Sequence, residues 1–323
     1  MKIAVAGSIA RDHLMTFPGH FTDSIVPDSL DSLSLSFLVD GLEIRRGGTG
    51  ANISFGLGVL GINPLLITAA GHDFSDYQSW LQRHGVDTSH VRISQDLLTA
   101  SFTCTTDRNL RQIASFFPGA MVESREIELA AIVEKTGKFD LFVISPDDPE
   151  AMVRHTESAR KLGIDFVADP SQTLASISGD QIRQLISGAK YLFTNEYELE
   201  LIIKKTGWSD EQLLEEVGVR ITTLGGKGSR VESKGHSTIA IGVPTITKIE
   251  DPTGVGDSYR AGFIAGLAWG VSLERCAQLG AILAAFCLET KGTQEYRFDK
   301  SEFISRFENT FGASAAAEIS SKL

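Results

Sequence analysis

Along this chain, short runs of consecutive apolar residues recur, and each leads into a stretch whose apolar positions follow the helical period. The runs are "KIAVAG" (2–7), "PLLITAAG" (64–71), "LFVIS" (141–145), "DFVADP" (165–170), "YLFTN" (191–195) and "RITTLG" (220–225). Continuous apolar character predicts strands buried on both faces, hence a mainly parallel sheet covered by helices. Helical spacing puts the intervening helices at 50–60, 74–84, 149–162 and 196–205. The architecture expected is three-layer α/β/α with right-handed crossovers. In such sheets ligands bind beyond the carboxyl ends of the strands. Those ends carry Gly7, Ser8, Gly71, Asp169, Asn195, Thr223 and Gly225.

Two stretches alternate instead: "LSLSFLVDGLEI" (33–44) and "TASFTCTTDRNLRQIASFF" (99–117). Alternation predicts half-buried antiparallel strands. No Pro/Ser/Gly linker flanks either stretch, so they read as a small β-sheet lid, segments about 13–46 and 97–119, inserted in the main domain.

Composition narrows the partners. The 323 residues carry a net charge of -11, which argues against nucleic acid, because backbone binding needs a basic face. A local site for a small anion remains open. Cys104, Cys276 and Cys287 are too few for a disulfide framework and lack metal-ligand spacing, so they read as small buried residues. No run of 18 apolar residues occurs and the start "MKIAVAGSIARD" has no secretory apolar region, so no membrane partner and a cytoplasmic location are expected.

Candidate chemistry lies at the strand ends. In "DPTGVGDSYRAGF" (251–263), Ala261, Ile264, Ala265 and Ala268 begin a helical stripe just after Asp257. An acid there suits a helix start by itself. Two glycines, Gly254 and Gly256, suggest in addition that bare backbone N–H groups approach an anion. "RRGGTGANISFGLG" (45–58) repeats that logic, with Gly48 allowing close approach and Asn52 offering both donor and acceptor. "TTLGGKG" (222–228) supplies Thr223, Gly225 and Gly228 for wrapping a nucleotide. "TNEYE" (194–198) sets Asn195 and Glu198 on one helix face, either as a cap or as an outer contact of Mg²⁺. "GLGVLG" (56–61) fits a dinucleotide fingerprint but lies late in a helix, so helix packing explains it better.

Together, "GGTGAN", "NEYE", "TLGGKG" and "DPTGVGD", in this order, resemble the ribokinase-like (PfkB) family of carbohydrate and nucleoside kinases over essentially the whole chain, 1–323. Within it, "GSIARDHLMTFPG", "LSLSFLVD", "FTCTTD", "QIASFFPGAM", "ADPSQ" and "GTQE" look most like bacterial adenosine kinases of actinobacterial type. The resemblance implies a ribokinase-like fold and ATP-dependent phosphorylation of a nucleoside 5′-hydroxyl, adenosine first, with another sugar or nucleoside as the alternative. It implies Asp257 as general base, an anion hole from Gly254 through Gly256 to Asp257, and ATP held by Asn195, Thr223, Gly225, Gly228 and Gly256. Glu198 would act on Mg²⁺ through water, and a monovalent cation such as K⁺ is admitted. On the substrate side it implies Ser8, Asp12, Ser36, Gly48 and Asn52, with Phe102 and Phe116 flanking the base. Lid sheets in this family often pair, which implies a homodimer. Two departures stand out: Thr49 replaces a lysine common among the sugar kinases, and Ala10 replaces an asparagine usual in ribokinases, which counts against free ribose.

Overall fold

Each of the six apolar runs forms a strand of one sheet. The computed structural model describes residues 1–24 and 36–323. Its strands are β1 (Ile3–Ala6), β2 (Ala10–Thr16), β3 (Gly41–Gly47), β4 (Leu65–Ala70), β5 (Val91–Ile93), β6 (Ala100–Thr106), β7 (Gln112–Phe117), β8 (Leu141–Ile144), β9 (Phe166–Ala168), β10 (Tyr191–Asn195), β11 (Val219–Thr223), β12 (Ser229–Glu232) and β13 (Ile239–Ile241). The main sheet has the order β13-β12-β11-β10-β9-β8-β1-β4-β5. All pairs from β5 to β11 are parallel, and β12 and β13 continue antiparallel at one edge.

Every residue of β1, β4 and β8 is buried, which is why these strands read as unbroken apolar runs. Val5, Leu66, Val143 and Phe193 pack on one face against helices that include Thr49–Val59, Val255–Trp269 and Leu273–Leu288. Ala6, Ile67, Phe142 and Ile144 pack on the other against Pro149–Lys161, Gly179–Ile186 and Glu196–Thr206. The three layers follow from this alternation. Four helices expected from periodicity, including Ser75–Arg83, end within one residue of the expected bounds. Gly56 belongs to helix packing, since a side chain there would meet Ala261 Cβ at 2.5 Å. All three cysteines are buried and free. Among the described residues no helix is long and apolar enough to cross a membrane.

The alternating stretches supply β3, β6 and β7 of a second sheet, β3-β2-β6-β7, whose remaining strand, β2, comes from residues 10–16 outside both stretches. Its details correct the expectation in two ways. The central pair β2·β6 is parallel, not antiparallel, because each of these strands follows a main-sheet segment and leaves it in the same direction. Strand β3 starts at Gly41 rather than at 33: residues 36–40 form no strand, and 33–35 lie outside the described residues. The β6·β7 hairpin is antiparallel as expected, and its turn is organised by Asp107, whose carboxylate accepts from the amides of Asn109 and Arg111.

Candidate active site

Two clefts open at the carboxyl edge of the main sheet and meet along one short segment. Thr253, Gly254 and Asp257 line the first, of about 540 Å³, while Pro252, Val255 and Gly256 line the second, of about 490 Å³. This segment is the entry to helix Val255–Trp269, so the free amides of a helix start stand between the clefts. Gly254 caps the helix at φ 75°, where a side chain would also strike Thr293.

The first cleft lies where the sheet order reverses direction, with β4 and β8 on opposite sides of β1. Residues just past those strands, Ser8, Ala10, Pro146 and Asp147, form its floor. Gly48, Thr49 and Asn52 close one side. Gly48 has φ 93°, and a Cβ on it would lie 2.5 Å from the Ser8 carbonyl oxygen. The roof is the small sheet. Register sets Asp12 of β2 opposite Phe102 of β6, and Phe102 opposite Phe116 of β7. One carboxylate and two aromatic rings therefore stand in a row on one face.

Hydrogen bonds fix the centre. Asn52 Nδ2 donates to Asp257 Oδ2 at 2.8 Å, while its Oδ1 accepts from Thr293 Oγ1 at 3.0 Å and Gln294 Nε2 at 2.8 Å. Gln294 Nε2 also donates to Tyr77 Oη, which donates to the Gly47 carbonyl at the end of β3. Asn52 is thus committed first to orienting Asp257. Burial raises the Asp257 carboxyl above its ordinary value and Glu198 adds to the rise, while Arg260 and the Asn52 hydrogen bond oppose it. The helix start alone does not decide its charge. Asp12 is pushed up to about 6 by burial and by Asp251 and Asp257, with Arg45 opposing.

The second cleft brings together Asn195, Thr223, Gly225, Gly228 and Gly256. Asn195 and Glu198 form a reciprocal helix cap: Glu198 Oε2 accepts from the Asn195 amide and Asn195 Oδ1 from the Glu198 amide, both at 2.8 Å. The capping alternative is therefore realised, and it leaves Glu198 buried beside the cleft with Oε1 accepting from Ser171 Oγ at 3.3 Å. Among the described residues no group of three His, Cys, Asp or Glu is placed to hold a metal.

Ser36 is not brought to the site. It is exposed on the unpaired segment before β3 and lines neither cleft, because no strand pairing fixes it against the roof. Conversely, Thr253 and Thr293 line the first cleft, and Ala281, Ala284, Ala285 and Leu288 wall the second, without having been expected. "GTQE" pointed at Thr293. The apolar wall had no signal of its own, since such residues read as core.

Main sheet, small sheet and a helix start shared by two clefts define a ribokinase-like α/β fold. The solved structure of a Burkholderia thailandensis nucleoside kinase in complex with inosine superposes with a TM-score of 0.84 at 31% identity, over 96% of this chain and 98% of that one. Nucleoside kinases of Methanocaldococcus jannaschii and Methanothermobacter thermautotrophicus are each 32% identical, over 91% and 94% of this chain and 92% and 98% of theirs. Residues 12–299 match the pfkB family of carbohydrate kinases, and the chain belongs to that family.

Proposed function

We propose that the protein is an ATP-dependent nucleoside kinase that phosphorylates the 5′-hydroxyl, with adenosine as substrate. One observation carries the reading: Asp12, Phe102 and Phe116 form a single row facing the Asp257 helix start. A carboxylate accepts from two vicinal ribose hydroxyls, and flat rings suit a base. A free sugar has use for the first feature only. The relatives carry the general name nucleoside kinase, so adenosine rests on this cleft and on the motif resemblance.

In this reading the nucleoside occupies the first cleft, with Ser8, Gly48 and Asn52 around the ribose. ATP occupies the second, its base against the alanine wall and its phosphates reaching Gly256. Asp257 takes the proton of the 5′-hydroxyl as that oxygen attacks the γ-phosphorus, and the bond to the β-phosphate bridging oxygen breaks to release ADP. The amides from Gly254 to Asp257 stabilise the charge on the transferred group. Mg²⁺, when bound to the phosphates, neutralises part of their charge. A single carboxylate such as Glu198 suits an ion that keeps its waters.

The same proposal makes the protein a homodimer. On the face of the small sheet opposite Asp12, register aligns Leu42, Met15, Thr105 and Ile113, and Leu42, Ile44, Ile113 and Phe117 are exposed there. An apolar face beside the open edge strand β7 calls for cover.

The deciding experiment follows ADP release with adenosine, inosine, cytidine, ribose and fructose in turn. Adenosine is expected to give the highest kcat/KM. Higher values for ribose or fructose would replace this reading with that of a sugar kinase on the same scaffold.

A further inference from the structure

The reaction centre has a charge problem. Among the described residues no lysine or arginine lines either cleft, although the ligand proposed for them carries several negative charges. The acids Asp12, Asp147 and Asp257 line the first cleft, with Glu198 and Asp169 buried close by. Thr49 brings no cation of its own.

The cation lies underneath. Arg260 stands one turn after Asp257 on the same helix, and its side chain is 7% exposed. Side chains lean toward a helix N-terminus, so this guanidinium is carried back under the anion hole. Its Nη2 donates to Asp169 Oδ1 at 2.6 Å, and Nε lies 2.6 Å from Asp169 Oδ2, close but poorly aligned for a hydrogen bond. Glu198 Oε2 is 4.0 Å from Nη2. Nη1 fills the space where Gly256 has no side chain, 2.9 Å from the position a Cβ would take. Phe193 backs the group, with its ring centroid 5.7 Å away. Asp169 and Glu198 thus converge on one buried guanidinium packed against the Gly256 backbone, and Asp257 adds a third negative charge that acts on it through space.

We propose that Arg260, clamped by Asp169, is a positioning residue of the reaction: its fixed positive charge holds Asp257 as the carboxylate and draws the transferred phosphoryl group onto the amides above it. The inference rests on the kinase reading of the site. The titratable groups around Asp257 are Arg260 on its own helix, Glu198, Asp169 and Asp12 from the facing elements, and Cys287 and Tyr296. Burial pushes the last two up, the Cys287 thiol to about 12, so they stay neutral. Arg260 is the cation of the set. Its loss leaves Asp257 with acids as its charged neighbours, and a nearby opposite charge is worth about one to three pH units.

Removing one partner of a buried pair endangers folding, so the test uses Arg260→Met combined with Asp169→Asn, which removes both charges. The readout is kcat against pH at saturating ATP and nucleoside, where the acidic limb reports the base in the ternary complex. The limb is expected to move up by about one unit or more, a tenfold loss of rate on the limb. Asp169→Asn alone, which keeps the cation, is expected to leave the limb at or below its wild-type position. Arg260→Lys is expected to return it toward wild type. An unmoved limb in the double variant, or an upward shift with Asp169→Asn alone, overturns the proposal. Wild-type turnover separates the two claims: if wild type phosphorylates no nucleoside the kinase reading fails, and if it does while the limb stays put only Arg260 loses its role.

Discussion

Asp257 needs to be ionised to act as a base, yet burial raises its carboxyl, and Asn52 and Arg260 supply the opposing bias. Asp257→Ala should therefore reduce kcat by ~10²–10⁴-fold while leaving the melting temperature and ATP affinity nearly unchanged; a large fall in melting temperature with modest loss of rate would make it a cap instead. Asp12 gives the pH dependence a second origin. Its carboxyl holds a proton up to about 6 when folded, against an ordinary 3.8. In the proposed reading the ionised form accepts the ribose hydroxyls, so nucleoside KM should rise below that pH, and Asp12→Asn should raise KM above it and flatten the dependence. Because the folded value is the higher one, stability falls as pH rises through this window. In calorimetry Asp12→Asn should thus melt above wild type at pH 8, with the gap closing toward pH 4. Glu198 is caught between cap and metal: Glu198→Ala should raise the Mg²⁺ concentration for half-maximal rate more than nucleoside KM, and an unchanged titration would leave it as a cap.

In the proposed reading the strands of the small sheet turn register into specificity. A one-residue slip of β6 against β2 would carry Phe102 to the far face and Asp12 would lose its aromatic neighbour. Base stacking on an aromatic ring is worth on the order of 1–3 kcal/mol, so Phe102→Ala and Phe116→Ala should each weaken adenosine by roughly tenfold. Any turnover of ribose should stay as it was. Titration calorimetry with both ligands checks this, and equal adenosine affinity in the two variants and wild type would remove the rings from recognition. The aromatic row was partly visible in the alternation of 99–117, which marks two-faced strands, although β7, expected to be half-buried, is exposed along its whole length as the edge strand of the small sheet. Which face met the cleft was not, because β2 carries no clean alternation and its pairing with β6 joins segments far apart in the chain. The "TNEYE" stretch shows the complementary limit: a helix start and a metal contact call for the same residue types at the same spacing, and the hydrogen bonds show the cap without excluding the second role.

At the scale of the whole molecule, the proposed dimer makes the face of the small sheet that turns away from the cleft the place to test assembly. Light scattering should give twice the chain mass, and Ile113→Asp should shift the protein to monomer; a wild-type monomer at micromolar concentration would remove the dimer. Burial on both sides leaves an unbroken apolar run, and helix ends leave their period, so the parallel sheet and the bounds of four helices were legible in the sequence. The glycine turns "GGTGAN", "TLGGKG" and "DPTGVGD" likewise marked the clefts, because backbone that approaches a ligand tolerates few other residues. What only tertiary structure decided were relations between distant segments: the parallel β2·β6 pairing, the exposure of Ser36, the Asn52–Thr293–Gln294 bonds, and the meeting of Arg260 with Asp169. A sequence records what each position tolerates by itself. Which two tolerant positions touch is settled by the packing of the layers, which brings residues 52 and 257, or 169 and 260, within hydrogen-bond reach.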